Sequence, residues 1–145
     1  MKKILLTLVM ASITSFTFAA PPVSEKVLKL FKEIYPSVQD AKWYEFENYY
    51  QVYFDSDNVK CRIKYDFDGK IISTMRYYGE GMVCPFLKAK LAQKFPGKKI
   101  FGVTEMTSDN EMTYDFVLED DKSWTQVRSD ATGQMSVTQK FKKSE

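Results

Sequence analysis

Between Val27 and Tyr35 the apolar positions Val27, Leu28, Phe31, Ile34 and Tyr35 recur at helical spacing, with Ser24 placed to cap the start and Pro36 to end the run. A second helix is predicted where Leu87, Leu91 and Phe95 mark an apolar stripe, with Pro85 suited to the first turn and Pro96-Gly97 to the stop. Much of the remaining chain alternates with period two. "YYQVYF" from Tyr49 turns at "DSDN" into "VKCRIKYDF", which turns at "DG" into "KIISTMRYY"; later, "EDDK" and "DATG" mark two further hairpins.

The chain also aligns with itself. "VLKLFKEIYPSVQDAKWYE" from Val27 matches "LKAKLAQKFPGKKIFGVTE" from Leu87, pairing Phe31 with Leu91, Tyr35 with Phe95, Pro36 with Pro96 and Glu45 with Glu105. After an insertion near Ser108 to Glu111, "YQVYF" pairs with "YDFVL" and "KYDFDGKIISTMRYY" with "RSDATGQMSVTQKFK". The predicted fold class is therefore α+β, in two tandem helix-plus-antiparallel-strand units covering about residues 24–79 and 84–142.

Composition narrows the chemistry. Lys2 and Lys3, the apolar run from Ile4 to Met10, and Thr17 and Ala19 ahead of Pro21-Pro22 have the layout of a secretory leader, so residues 1–19 are expected to be removed and 20–145 to form one domain. The apolar run is well short of the ~20 residues a bilayer-spanning helix needs, so no membrane span is expected after cleavage. Loss of Lys2 and Lys3 leaves equal numbers of acids and bases, which argues against nucleic acid as a partner. With no histidine, Ser-His and Cys-His nucleophiles are excluded, together with the commonest transition-metal ligand. Cys61 and Cys84, the only cysteines, are expected to pair as a structural disulfide in an exported chain, two independent thiols being the alternative.

The stretch Asp66-Phe67-Asp68-Gly69 imitates a metal loop, but its partner Asp130-Ala131-Thr132-Gly133 shares only the first Asp and the Gly. Those two are what a tight hairpin needs: an Asp to bond the backbone ahead and a Gly for positive φ. A calcium loop would also need a terminal Glu, where this chain has Ile71, Ile72 and Ser73. The segment reads as a turn, and neither metal nor cofactor is expected.

The leader, the doubled unit, the helix exits "YPSVQDAKWYE" and "FPGKKIFGVTE" and the "DFDGKI" hairpin together resemble the PepSY-like periplasmic proteins, whose fold is similar to the β-lactamase inhibitor protein. That resemblance implies one curved antiparallel sheet with helices packed on one face and the other face open to a protein partner. It carries over no inhibitor loop, so inhibition of a β-lactamase does not follow.

Comparing the two copies sorts the faces. Tyr50, Val52, Phe54, Cys61, Ile63, Tyr65, Ile71, Met75 and Tyr77 in the first, and Tyr114, Phe116, Leu118, Thr125, Val127, Ser129, Met135, Gln139 and Phe141 in the second, are predicted to point inward. Tyr49, Gln51, Tyr53, Lys60, Arg62, Lys64, Ile72, Thr74, Arg76 and Tyr78 are predicted on the open face, with Thr113, Asp115, Val117, Trp124, Gln126, Arg128, Thr138 and Lys140. Tyr, Trp and Arg are over-represented in binding hot spots, which makes Tyr49, Tyr53, Arg62, Arg76, Trp124 and Arg128 the candidate binding residues. The bland alternative is that Tyr and Thr are good strand formers kept soluble by Lys and Arg.

The expected function is an exported, non-enzymatic module, periplasmic or secreted, that binds a protein partner, as an inhibitor or sensor of an envelope enzyme. A binder of a small molecule or an envelope polysaccharide or peptide is the alternative, since Tyr and Trp also stack on sugar rings. An enzyme is disfavoured because the acids fall mainly at turns rather than in pairs. Leader removal is directly measurable: N-terminal sequencing of the exported protein should begin at Ala20, and an N-terminus retaining Met1 would overturn the leader.

Overall fold

The computed structural model describes residues 23–143, so the predicted leader lies outside the described residues. The chain runs α1 (Glu25–Ile34), β1 (Lys42–Glu45), β2 (Tyr50–Ser56), β3 (Val59–Tyr65), β4 (Ile71–Tyr78), a short 3₁₀ turn (Glu80–Met82), α2 (Pro85–Lys94), β5 (Lys99–Ser108), β6 (Glu111–Glu119), β7 (Ser123–Asp130) and β8 (Met135–Lys142). The strands form one antiparallel sheet in sequence order, each paired with the next. Ser24 caps α1 by accepting from the Val27 amide, and Pro85 opens α2.

Period two explains which side of each strand is buried. Tyr50, Val52 and Phe54 of β2 face Tyr65, Ile63 and Cys61 of β3, and the buried set continues through Tyr78, Val103, Phe116, Leu118 and Val127. From α1, Val27 and Phe31 close this inner face, Phe31 meeting Trp43 at 5.2 Å and Phe54 at 5.1 Å between ring centroids. From α2, Leu87 and Leu91 are buried, while Lys90 and Phe86 lie against the β7–β8 turn at Gly133.

This architecture corrects the expected one. The molecule is dominated by a single eight-stranded sheet with two ten-residue helices, not two tandem helix-plus-strand units under a helix layer on one face. Where the boundary between units was expected, β4 pairs with β5 from Ser73↔Ser108 to Tyr78↔Val103 as any neighbouring strands do. The two ten-residue helices pack on different parts of the sheet: α1 by β1, β2 and the β3–β4 turn, and α2 by the β7–β8 turn. Between them Thr74, Arg76, Glu105, Thr107 and Tyr114 stay half-buried on the inner face and Met112 is exposed.

The β-bulges produce a second correction. Lys64 faces Ser73 but Tyr65 faces Ile71, so Ile72 is an extra residue and the phase of β4 reverses beyond it. Met75 and Tyr77, predicted inward, share the outer face with Arg62 and Lys60; Thr74, Arg76 and Tyr78, predicted outward, turn in. In β8, Gln139 faces Gln126 but Val137 faces Val127, leaving Thr138 extra. Gln139 and Phe141, predicted inward, therefore join Gln126 and Trp124 outside, and Lys140, predicted outward, stands opposite the buried Thr125.

The Asp66–Gly69 segment is a turn. Asp66 Oδ1 accepts from the amides of Asp68 (3.0 Å) and Lys70 (2.8 Å), and Gly69 has φ +89°. Asp130 caps its own turn likewise, accepting from Thr132 and Gln134, with Gly133 at φ +79°. A Cβ at Gly69 would also lie 2.6 Å from Leu30 Cδ1, so the turn is pressed against α1. Gly69→Val should thus destabilise the fold by more than about 1 kcal/mol through strained φ and displacement of Leu30, whereas Asp68→Asn, at an exposed side chain, should be nearly neutral. Equal melting temperatures for the two variants would refute this assignment.

Candidate functional site

The outer face is assembled from alternate residues of neighbouring strands. Tyr44 of β1 and Tyr53 of β2 meet edge-on at 5.7 Å, and Gln51 Nε2 donates to Tyr53 Oη at 2.7 Å, which fixes that ring. Arg62 stands between Tyr53 and Met75, and Lys60 between Asp55 and Tyr77. Lys64 lies 4.7 Å above the ring of Tyr49, which stacks on Phe46. Tyr53 and Tyr77 are each about two-fifths exposed, at 39% and 40%.

Further along, Tyr77 crosses β5 at Gly102, where a Cβ would fall 2.6 Å from the Tyr77 hydroxyl. Phe101 is the extra residue of the third bulge and meets Trp124 edge-on at 4.9 Å. Lys143 sits 4.6 Å from the Trp124 ring centre while pairing with Glu119 at 2.9 Å. Arg128 is held bidentately by Asp115 across β6 and β7, at 2.8 and 2.9 Å.

The predicted binding residues therefore fare differently. Tyr49, Tyr53 and Arg62 lie together on the outer face, and Trp124 and Arg128 lie on its far half, each engaged by neighbours. Arg76 does not belong with them. It lies on the inner face, where its Nη1 donates to Glu105 Oε1 at 3.1 Å and its guanidinium stacks 5.5 Å from the Tyr78 ring. Tyr78 completes the group by donating to Glu105 Oε2 at 2.7 Å. Burial, and then the bond to Glu105, push the Tyr78 hydroxyl far above its ordinary pKa. This phenol stays a donor at neutral pH.

Cys61 and Cys84 are free thiols in this structure, Cys61 buried in β3 and Cys84 exposed ahead of α2, so the expected disulfide is not formed in it. Burial raises the Cys61 thiol, which favours its protonated form. Among the described residues no group of three or more His, Cys, Asp or Glu is placed to hold a metal ion. No helix among them is long and apolar enough to cross a membrane. Three clefts of similar size, about 620 Å³ beside Ser37–Asp40, about 610 Å³ between the β6–β7 turn and Lys140 and Lys142, and about 570 Å³ at the turn ends of β4 and β5, are open grooves.

Sequence reasoning missed Tyr77, Met75, Tyr44 and Phe101 on the outer face. For Phe101 a signal existed: a glycine next to it inside a strand pattern marks a bulge or a close approach. Tyr77 had a weaker one in the adjacent apolar pair Ile71-Ile72, which breaks strict alternation.

Comparison with known proteins supports the fold. No family model matches the chain, and neither does any curated protein. Among solved structures it is similar to a BLIP-like protein from Bacteroides fragilis, with TM-score 0.60 and 15% identity over 86% of this chain and 89% of that one. A DUF2874 family protein from Bacteroides uniformis gives 0.58 and 15%, covering 82% of this chain and 88% of the other. A protein from Bacteroides eggerthii, provisionally described as periplasmic, gives 0.59 and 14%, over 83% and 88%. At such identities the likeness defines the fold alone, and the fold is BLIP-like.

The geometry separates folding residues from surface ones. Arg76→Ala should cost about 1–2 kcal/mol, less than for a fully enclosed pair, because Glu105 is only 12% exposed and would lose its cation while Arg76 itself is 42% exposed. Arg62→Ala should change stability by less than about 0.5 kcal/mol. Chemical denaturation of both variants checks this, and equal losses would contradict the inner placement of Arg76.

Proposed function

We propose that this chain is an exported, non-enzymatic binding module that docks a protein partner of the cell envelope on its outer sheet face, as inhibitor or sensor of an envelope enzyme. The observation that carries this reading is the outer face itself: exposed Tyr44, Tyr53 and Tyr77 stand beside cations on strands that neither helix of the described residues covers on that side. Large rigid rings with a polar tip, next to guanidinium and ammonium groups, are the chemistry of hot spots. On this reading residues 1–19 are removed, 20–145 form the working domain, and the protein acts in the periplasm or outside the cell. The BLIP-like fold supports it, as does the description of one fold neighbour as periplasmic. The helix exits and the "DFDGKI" hairpin support membership of the PepSY-like group.

The alternative of sugar stacking loses its best residue. Trp124 has Lys143 over its ring and Phe101 against it, so its surface is already partly used. Among the described residues, the cleft that includes Tyr53, beside Ser37–Asp40, is an open groove rather than an enclosed pocket.

The test is capture of a partner from an envelope extract by the mature protein, followed by affinity measurements on face-specific variants. Tyr53→Ala, and less strongly Trp124→Ala, should weaken binding, with Tyr53→Ala costing about 2 kcal/mol, while Lys29→Ala on α1 should leave it unchanged. Binding that survives every outer-face variant and is lost on helix-face ones would overturn the reading.

A further inference from the structure

We propose that the outer ridge of β3 is the docking track for an extended acidic segment of the protein partner. The proposal rests on the outer-face reading above and adds the chemistry of what lies there. Lys60, Arg62 and Lys64 are the three outward residues of one strand, and all three are cations. Among the described residues none forms an ion pair, not even Lys60 with Asp55 opposite it on β2, although the sheet pairs its other arginines, Arg76 with Glu105 and Arg128 with Asp115.

The flanks are built for contact. On the outer face Tyr53 and Tyr77 stand beside Arg62 and Lys60, and Tyr49 carries the Lys64 ammonium over its ring. Aromatic neighbours hold such cations in place and shield an incoming carboxylate from water.

Spacing selects the occupant. Successive outward side chains of a strand are about 6.6 Å apart, and an extended peptide with an acid at every second residue repeats its carboxylates at the same interval. One such segment laid along β3 meets all three cations in register. A second copy of this chain would bring a like-charged ridge to the same place and be repelled. A nucleic acid or sulfated polymer would profit from a broad positive field, and the charges of residues 20–145 balance.

The experiment titrates the mature chain with a blocked peptide of alternating Glu and Thr at low salt, following backbone amide shifts. Comparison ligands are a block peptide of identical composition, a sulfated oligosaccharide and a single-stranded oligonucleotide. The alternating peptide should perturb residues 60–64 and the amides of Tyr53 and Tyr77, and should bind tighter than the block peptide. Affinity should fall about tenfold in Arg62→Glu and Lys64→Glu and also as salt rises, and stay unchanged in Lys29→Glu. Thermal melts verify that the variants fold. Shifts away from the ridge, insensitivity to Arg62→Glu, or tighter binding of the sugar or oligonucleotide on the same residues would overturn the proposal. A captured partner that is lost with Tyr53→Ala but not with Arg62→Glu would sink the acidic track and leave the outer-face reading standing; insensitivity to both would remove the two together.

Discussion

A β-strand has two faces, and the whole of this structure depends on one of them being taken out of water. In each strand of the central sheet alternate residues are drawn to the buried side, because apolar burial stabilises by about 25 cal/mol per Å² and a one-residue slip would lose it along the entire strand. Tyr65, Ile63 and Cys61 on β3 and Phe116 and Leu118 on β6 anchor that choice, each nearly sealed from solvent. Once it is made, what remains outside is decided too. The outer face is a by-product of the core's phase, and its chemistry is read from the positions the core leaves over.

The bulges are where this rule is interrupted, and they determine which residues share a face. Ile72, Phe101 and Thr138 each add one residue to a strand, so the alternation beyond them reverses. The consequences are chemical. Reversal in β4 places Arg76 against Glu105 and Tyr78, where it supports the fold, and puts Tyr77 over Gly102 on the outside. Burial at the same time keeps the aromatic hydroxyls of the core in their donor form: Tyr65 is pushed up to about 12 by desolvation first, with Tyr35 adding to it. Its folded pKa lies above its unfolded one, so this group leaves stability unchanged below about pH 10 and lowers it as pH rises toward 12.

Local elements were legible in the sequence for the physical reasons used to read them. Ser24, Pro85 and the spacing of Val27, Phe31, Leu87 and Leu91 specify helix ends and buried stripes through nearest-neighbour chemistry. The two Asp-to-Gly turns were legible because positive φ and an Asx bond leave residue-level marks. The faces of β2, β3 and β7 followed from alternation alone. Architecture did not follow, because self-similarity within the chain carries no information on whether β4 and β5 pair without a break or on how little of the sheet two short helices cover. Arg76 was misplaced because a bulge is set by register with a neighbouring strand, which a pattern along one strand does not contain.

Charge pairing across the sheet shows why the two halves of the outer face differ. Arg128 has Asp115 directly opposite, and the bidentate bond neutralises both groups at a cost of little more than side-chain order. On β3 the positions opposite Arg62 are Tyr53 and Met75, and those opposite Lys64 are Gln51 and Ser73, none of which can accept a full charge. Three like charges two residues apart repel one another, and even Asp55, which stands opposite Lys60 on β2, forms no ion pair with it. The repulsion is small next to the core that fixes β3, so the fold tolerates it. The same strand that buries Val59, Cys61, Ile63 and Tyr65 therefore presents three cations outside that form no ion pair among the described residues, rigidly spaced by the backbone hydrogen bonds of both neighbours.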